Sequence, residues 1–291
     1  MFLNDVNAKI NKFIYFCPAF MDGKRNIRIM GIVNLTDDSY FAQSRCSGVE
    51  AALERIGLMV QEGADIIDIG ACSTRPGALP VGEAEEWRRL EPVLKAVRNS
   101  FPELVISIDT YWSSVVRNAY DLIGEFIVND ISAGEDDPQM LDTVAELGLT
   151  YIAMHKRGTP SEMQSLTDYN DVVADVVDYF VDFSRKASAA GISKWIVDPG
   201  FGFSKTLQQN WELLRNLDRF KTLRDASGNV PELLVGISRK SMIYNLLGIT
   251  PEESLPATQV AHYAALCAGA DILRVHDVAA AVQTVRLYSN L

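Results

Sequence analysis

Three kinds of chemically capable side chain recur where apolar runs of this 291-residue chain end. Carboxylates with an amide form the first kind: Asp109, Asn129 and Asp198. Cations form the second: Arg75, Arg239, Lys240, Arg274 and His276. Small hydroxyls near glycines form the third: Ser73, Thr74 and Ser241. Carboxylates and an amide facing inward suit a flat heterocycle that donates several hydrogen bonds in one plane, as a 2-amino-4-oxo ring does. Its amino group and adjacent ring N–H could donate to both oxygens of Asp198, while a lysine donates to the ring carbonyl. Arg274 and His276 stand two apart, so on a strand they point the same way and can converge on phosphate. Arg274 could also stack on the ring face. Thr74 and Gly77 add neutral phosphate-binding capacity. Singly, each residue has a plainer use: Asp109 could cap a helix, Asp198 before Pro199 could start a turn, and Lys240 could be a solvated surface charge. Position changes that balance, because all three fall at ends of expected strands.

The elements that must bring them together are legible as short runs rich in Ile, Val and Leu. They cover residues 27–34, 64–71, 104–110, 126–132, 150–155, 194–200, 233–239 and 271–277. Nearly continuous apolar runs, rather than alternating ones, mark strands buried on both faces of a parallel sheet. Between them lie stretches with helical apolar spacing, such as Leu53, Ile56, Met59 and Val60, or Leu90, Val93, Leu94 and Val97. Eight strand and helix pairs predict an α/β fold, a single (β/α)8 TIM barrel, with a doubly wound open sheet as the competing layout. In a parallel barrel all the polar strand ends meet at one mouth. The barrel is assigned to residues 27–291. Residues 1–26 are too few for a second domain, and Asp22-Gly23 predicts a hairpin extension against the barrel. Val172, Val173, Val176, Val177 and Phe180 form a core-facing helical stripe, and His262, in the helical run 257–268, is expected to be packed. His155 is ambiguous: it ends an expected strand, while Lys156 and Arg157 after it suggest an exposed rim.

Composition removes other classes. There are 27 Lys+Arg against 38 Asp+Glu, a net charge of −11, which disfavours nucleic acid and anionic membranes as partners. Cys17, Cys46, Cys72 and Cys267 lie far apart, without zinc spacing, and are expected as reduced thiols. The apolar stretch 13–21 lacks a cleavage site and is interrupted by Pro18, so no signal peptide is assigned, and no run approaches the ~18 apolar residues of a membrane helix. A cytoplasmic protein is expected. Gly200-Phe201-Gly202-Phe203-Ser204-Lys205 is neither a dinucleotide fingerprint nor a phosphate loop, since Lys205 replaces the third glycine and Ser204 precedes it. No Gly-x-Ser-x-Gly elbow occurs.

Seven strings in order carry a closer identification. They are Ile29-Met30-Gly31-Ile32-Val33-Asn34-Leu35-Thr36-Asp37-Asp38-Ser39, Asp68-Ile69-Gly70-Ala71-Cys72-Ser73-Thr74-Arg75-Pro76-Gly77, Ser107-Ile108-Asp109-Thr110, Asn129-Asp130-Ile131-Ser132, Asp198-Pro199-Gly200-Phe201-Gly202-Phe203, Ser238-Arg239-Lys240-Ser241 and Arg274-Val275-His276-Asp277. Together, over residues 27–291, they resemble the dihydropteroate synthases. The resemblance implies a barrel enzyme that joins 6-hydroxymethyl-7,8-dihydropterin diphosphate to p-aminobenzoate, releasing diphosphate. It implies pterin contacts from Asp109, Asn129, Asp198, Lys240 and Arg274, with Lys240, Arg274, His276 and Asp109 closest to the chemistry. Asn34, Thr74, Arg274 and His276 would face the diphosphate, Asn34 through Mg²⁺. Thr74, Arg75, Phe203 and Ser241 would border the aminobenzoate, where sulfonamides would compete. A homodimer is implied as well.

The first loop departs from the family pattern, with Asp37, Tyr40, Phe41, Ala42 and Gln43 where proline, phenylalanine, serine, aspartate and glycine are usual, and Cys72 replaces a glutamate. The altered loop keeps open a pterin-binding barrel without turnover, and shared pterin carboxylates keep open a pterin-dependent methyltransferase. Ser73-Thr74-Arg75-Pro76-Gly77 and Ser238-Arg239-Lys240-Ser241 favour the synthase.

Overall fold

The strands form where the apolar runs lie. In the computed structural model, which describes residues 26–35, 48–72, 81–159 and 162–291, they are β1 (Arg28–Asn34), β2 (Ile66–Gly70), β3 (Val105–Asp109), β4 (Ile127–Asp130), β5 (Thr150–Met154), β6 (Trp195–Asp198), β7 (Glu232–Val235) and β8 (Ile272–Val275). All pair in parallel, and Met30 of β1 lies against Ile66 of β2 on one side and Arg274 of β8 on the other, so the sheet closes on itself. The barrel wins over the open sheet. The expected hairpin over residues 1–26 lies, apart from Asn26, outside the described residues.

Helices alternate with the strands: α1 (Val49–Glu62), α2 (Glu83–Ser100), α3 (Ser113–Ile123), α4 (Met140–Leu147), α5 (Val172–Ala190), α6 (Leu207–Arg215), α7 (Ser241–Leu247), α8 (Leu255–Cys267) and α9 (Val278–Tyr288). Each turns its apolar stripe onto the sheet, Leu90, Val93, Leu94 and Val97 from α2 and Val172, Val173, Val176 and Phe180 from α5. Capping residues start two of them. Asp171 accepts from the N–H groups of Val173 and Ala174 ahead of α5, and Thr206 with Gln209 forms a reciprocal box ahead of α6.

Inside the barrel the two-residue strand period sorts side chains into storeys. Met30, Ile66, Ile127, Ile152, Ile196, Leu234 and Ile272 form one buried apolar cluster, separate from the larger core between sheet and helices. Two residues further along the same strands come Asp68, Asn129, Asp198 and Arg274, with Gly236 after Leu234 leaving room. The lower storey is a hydrophobic floor; the upper one is the polar mouth. His262 is fully buried on α8 with Nδ1 3.3 Å from Oε1 of Gln259, the packed role expected of it. Cys72 and Cys267 are thiols, not partners in a disulfide. No helix among the described residues is long and apolar enough to cross a membrane.

Candidate active site

Asp68 organises the mouth. Fully buried on β2, it accepts from Ser107 Oγ at 2.6 Å, Asn129 Nδ2 at 3.0 Å and Arg274 Nε at 2.7 Å, and Arg274 Nη2 lies 2.7 Å from the same carboxylate. Arg274 Nη2 also donates to Asp109 Oδ2 at 2.9 Å. One guanidinium therefore bridges two carboxylates, which hold Arg274 well above its ordinary range against the opposing effect of burial. Its Nη1 group makes no hydrogen bond among the described residues and remains available to an incoming anion or ring.

Asn129 points its amide in a defined sense. Since Nδ2 is committed to Asp68, the carbonyl Oδ1 is the atom left to meet a ligand's donor. Burial pushes the Asp109 carboxyl up in spite of Arg274, with Asp68, Asp130 and Asp198 adding to the push. Asp109, last in β3, lies beside Gly70: a Cβ there would come within 3.3 Å of Asp109 Cβ and 3.6 Å of Asn34 Oδ1. Glycine thus brings Asn34, at the end of β1, close to Asp109.

Across the mouth, Asp198 ends β6 and accepts from the N–H of Gly200 through Oδ1 at 2.9 Å, the turn-starting role its place before Pro199 suggested. Burial raises its carboxyl, with Lys240 opposing. Lys240 precedes α7, donates to the carbonyl of Phe201 and holds Nζ 4.8 Å from the ring centre of Phe203. Burial pulls this lysine down to about 8, with Asp198 opposing. Asp198 and Lys240 thus face one another electrostatically, and Phe203 is drawn in beside them. Ser241 is exposed at the first turn of α7.

Several expectations need correction or fall outside view. His276, counted as a cation, is held as a neutral imidazole, because burial lowers it to about 3 and Arg274 adds to the effect. The Ser238 hydroxyl accepts the backbone N–H of His276 at 3.2 Å and stands 3.1 Å from its Nδ1. A hydroxyl that donates to Nδ1 leaves the ring proton on Nε2, so the histidine offers a hydrogen bond instead of a charge. Arg239, also counted among the mouth cations, is engaged by the protein's own groups. From a backbone with φ +50°, its fork grips Asp277 at 2.8 and 2.9 Å and caps the carbonyls of Pro251 and Glu252. His155 and Lys156 are buried rather than at a rim, His155 beneath Tyr179 in an edge contact and Lys156 paired with Asp136 at 3.0 Å. Ser73, Thr74, Arg75, Gly77 and the altered first-loop positions 37 and 40–43 lie outside the described residues, whereas Cys72 has its sulfur 3.8 Å from the Tyr111 hydroxyl.

Asp68, Ser107, Ser238 and Lys205 escaped the reading of sequence as site residues. The signal for Asp68 was there: a lone carboxylate in Ile66-Ile67-Asp68-Ile69, inside a strand buried at every position, must find partners. Among the described residues no group of three or more His, Cys, Asp or Glu side chains forms a metal cluster. Asn34 offers a neutral oxygen that suits a hard cation whose remaining ligands are water and substrate phosphate.

Comparison with known proteins agrees with this chemistry. The model of the family described as pterin binding enzyme matches residues 30–276. The dihydropteroate synthase of Escherichia coli K12 is 41% identical over 261 residues, covering 89% of either chain. A crystal structure of the Yersinia pestis dihydropteroate synthase with a sulfonamide drug superposes with a TM-score of 0.84 at 34% identity, covering 93% of this chain and 95% of that one. The Xanthomonas albilineans enzyme with 4-aminobenzoic acid gives 0.81 at 38% identity, covering 91% and 93%. With a family model spanning most of its length and a 41%-identical relative covered to 89%, the chain belongs to the dihydropteroate synthase family of pterin-binding enzymes.

Proposed function

We propose that the mouth condenses 6-hydroxymethyl-7,8-dihydropterin diphosphate with p-aminobenzoate to form 7,8-dihydropteroate and diphosphate. The observation that carries the reading is the convergence of Asp68, Asp109, Asn129 and Arg274 on one side of a closed barrel with Asp198 and Lys240 on the other. Asp198 accepts from the amino group and adjacent N–H of the pterin, Asn129 Oδ1 and Asp109 accept from the other ring donors, and Lys240 donates to the ring carbonyl. The floor beneath excludes water from that edge, which strengthens each bond.

Breaking the bond between the pterin methylene and diphosphate leaves charge on the departing oxygens. Arg274, through its remaining Nη1 hydrogens, and His276, through Nε2–H, stabilise that charge, while the dihydropterin delocalises the cation left behind. Mg²⁺ would be held by Asn34, and when bound would supply further charge neutralisation at the diphosphate. The arylamine then attacks the methylene carbon from the side of Phe203, a step that needs positioning more than a strong base. The Phe203 ring borders the arylamine, Thr74 and Arg75 are assigned to the same pocket by the family resemblance, and the Ser241 hydroxyl donates to its carboxylate. Sulfonamides, which share the arylamine outline, compete there.

Steady-state formation of dihydropteroate from the two substrates with Mg²⁺ tests this. Pterin binding without product identifies a binder that lacks turnover, and methyl transfer from methyltetrahydrofolate identifies the methyltransferase alternative. A homodimer is proposed on the exposed apolar side chains Leu246 and Leu247 of α7, Val260 of α8 and Leu287 of α9; sedimentation at graded concentrations decides it. The acidic charge and the thiol state of Cys72 and Cys267 accord with a reducing, cytoplasmic setting.

A further inference from the structure

Lys205, just past the β6 strand end, takes part in none of the steps above. It is 4% exposed, and its ammonium donates to the carbonyl of Gly200 at 3.0 Å, to the carbonyl of Phe203 at 2.9 Å and towards Nδ1 of His155 at 3.0 Å. Three acceptors match three ammonium hydrogens, and none of the three is a carboxylate. Burying a cation on neutral acceptors is costly, and burial pulls Lys205 well below its ordinary value, with Asp198 opposing. His155 is matched to this partner: burial and the Lys205 charge lower its ring to about 2, so it is neutral and Nδ1 can accept.

What the ammonium holds is an arch of unusual backbone. Gly200, Gly202 and Ser204 have φ of +71°, +81° and +53°, so the loop alternates through the left-handed region, once with a residue other than glycine. At Gly200 a Cβ would stand 2.0 Å from the carbonyl oxygen of His155, which makes glycine obligatory there. Ser204 is tied to the end of β5, its hydroxyl bonded to both the N–H and the carbonyl of Arg157 at 2.8 Å. Such an arch persists only if its surroundings over-determine it. Lys205 does so from inside, by drawing the carbonyls at both ends of the arch onto one point. The same arch presents the Phe201 carbonyl and the Phe203 ring to Lys240.

We infer that Lys205 is a positioning residue for the arylamine: without touching either substrate, it shapes the loop between β6 and α6 so that the Phe203 ring forms a fixed wall of the p-aminobenzoate pocket. This rests on the proposed placement of p-aminobenzoate against Phe203. The Phe203 ring sits on the arch itself, whereas the pterin meets the arch only through the Gly200 bond to Asp198 and the Phe201 bond to Lys240, so a relaxed arch affects p-aminobenzoate more than the pterin. A merely structural lysine affects them alike.

The test is Lys205→Met in the full chain, with steady-state kinetics in both substrates and calorimetric titration of pterin diphosphate. The expected result is a rise of about tenfold in KM for p-aminobenzoate, with kcat and the pterin Kd within about twofold of the parent protein. An unchanged p-aminobenzoate KM, or an equal loss for both substrates, overturns the inference. Should that variant fail to fold, Lys205→Gln, which keeps two of the three donor hydrogens, is measured with the same decision. Phe203→Ala separates the two layers of argument. If it leaves p-aminobenzoate KM unchanged, the placement of the substrate is wrong; if it raises KM while the Lys205 variant does not, only the role of Lys205 falls.

Discussion

Replacing Asp68 is the sharpest test of how the mouth is held. In Asp68→Asn the amide oxygen can still accept from Asn129 and Arg274, and the Ser107 hydroxyl can rotate to accept from the new NH₂. What disappears is the charge. Contacts at 2.7 Å from Arg274 Nε and Nη2 fall from ionic to neutral hydrogen bonds, while Asp109 keeps its own bond at 2.9 Å. The expected loss is about 1 to 2 kcal/mol. Asp68→Ala removes every acceptor and leaves Asn129 Nδ2 and Ser107 Oγ buried without one, for about 3 to 5 kcal/mol. In a chain of this size that corresponds to melting temperatures lower by about 2 to 8 °C for Asn and about 6 to 20 °C for Ala. Arg274 and Asn129 lose their orientation with it, so kcat/KM for pterin diphosphate falls about 5- to 30-fold in the Asn variant. Scanning calorimetry and initial-rate assays on both variants read these numbers. Parental melting and parental kcat/KM in both would refute the claim that Asp68 organises the site.

Further perturbations follow from the same geometry. Lys240→Ala should weaken pterin binding by about 1.5 to 3 kcal/mol in calorimetric titration, since the ring carbonyl loses a charged donor; parental affinity would remove Lys240 from the site. Because Lys240, pulled down to about 8, donates most strongly as the charged ammonium, pterin affinity should decline as pH rises through that value, and a flat profile there argues for another donor. Arg239→Lys gives up the fork on Asp277 and should cost about 2 to 4 kcal/mol in denaturant unfolding, with an unchanged midpoint contradicting its role as a clamp. Chelation of divalent metal should stop dihydropteroate formation and added Mg²⁺ should restore it; full turnover in chelator would argue against the metal.

The barrel was legible because burial on both faces writes itself into sequence: Ile66-Ile67-Asp68-Ile69 and Ile272-Leu273-Arg274-Val275 could hardly be anything but inner strands. Asp109, Asn129, Asp198 and Arg274 were legible for the same reason, since a strand's end fixes where its last polar residues go. Asp68 was hidden by its neighbours, lying within a run and not at its end. His155 stayed ambiguous because Lys156 and Arg157 look solvent-facing, whereas the cover supplied by Tyr179 comes from a helix more than twenty residues on. The charge of His276 depends on how far the surrounding fold strips its water, a quantity that residue type does not carry. Arg239 is committed to Asp277 from a left-handed backbone, a partner that nothing in Ser238-Arg239-Lys240 announces.

The seven-membered apolar floor has an implication for discrimination among ligands. Beneath the carboxylates lies material that cannot reorient to screen a field, as any solvent reaching the mouth can. A small visitor that leaves the rim wet has its contacts damped from one side and is poorly sorted from its rivals. A visitor broad enough to seal the opening shuts out that damping, and every mismatched donor or acceptor is then charged at the interior's rate. Selectivity in this barrel is therefore set by the fit of the whole lid of bound atoms, not by the count of polar contacts below it.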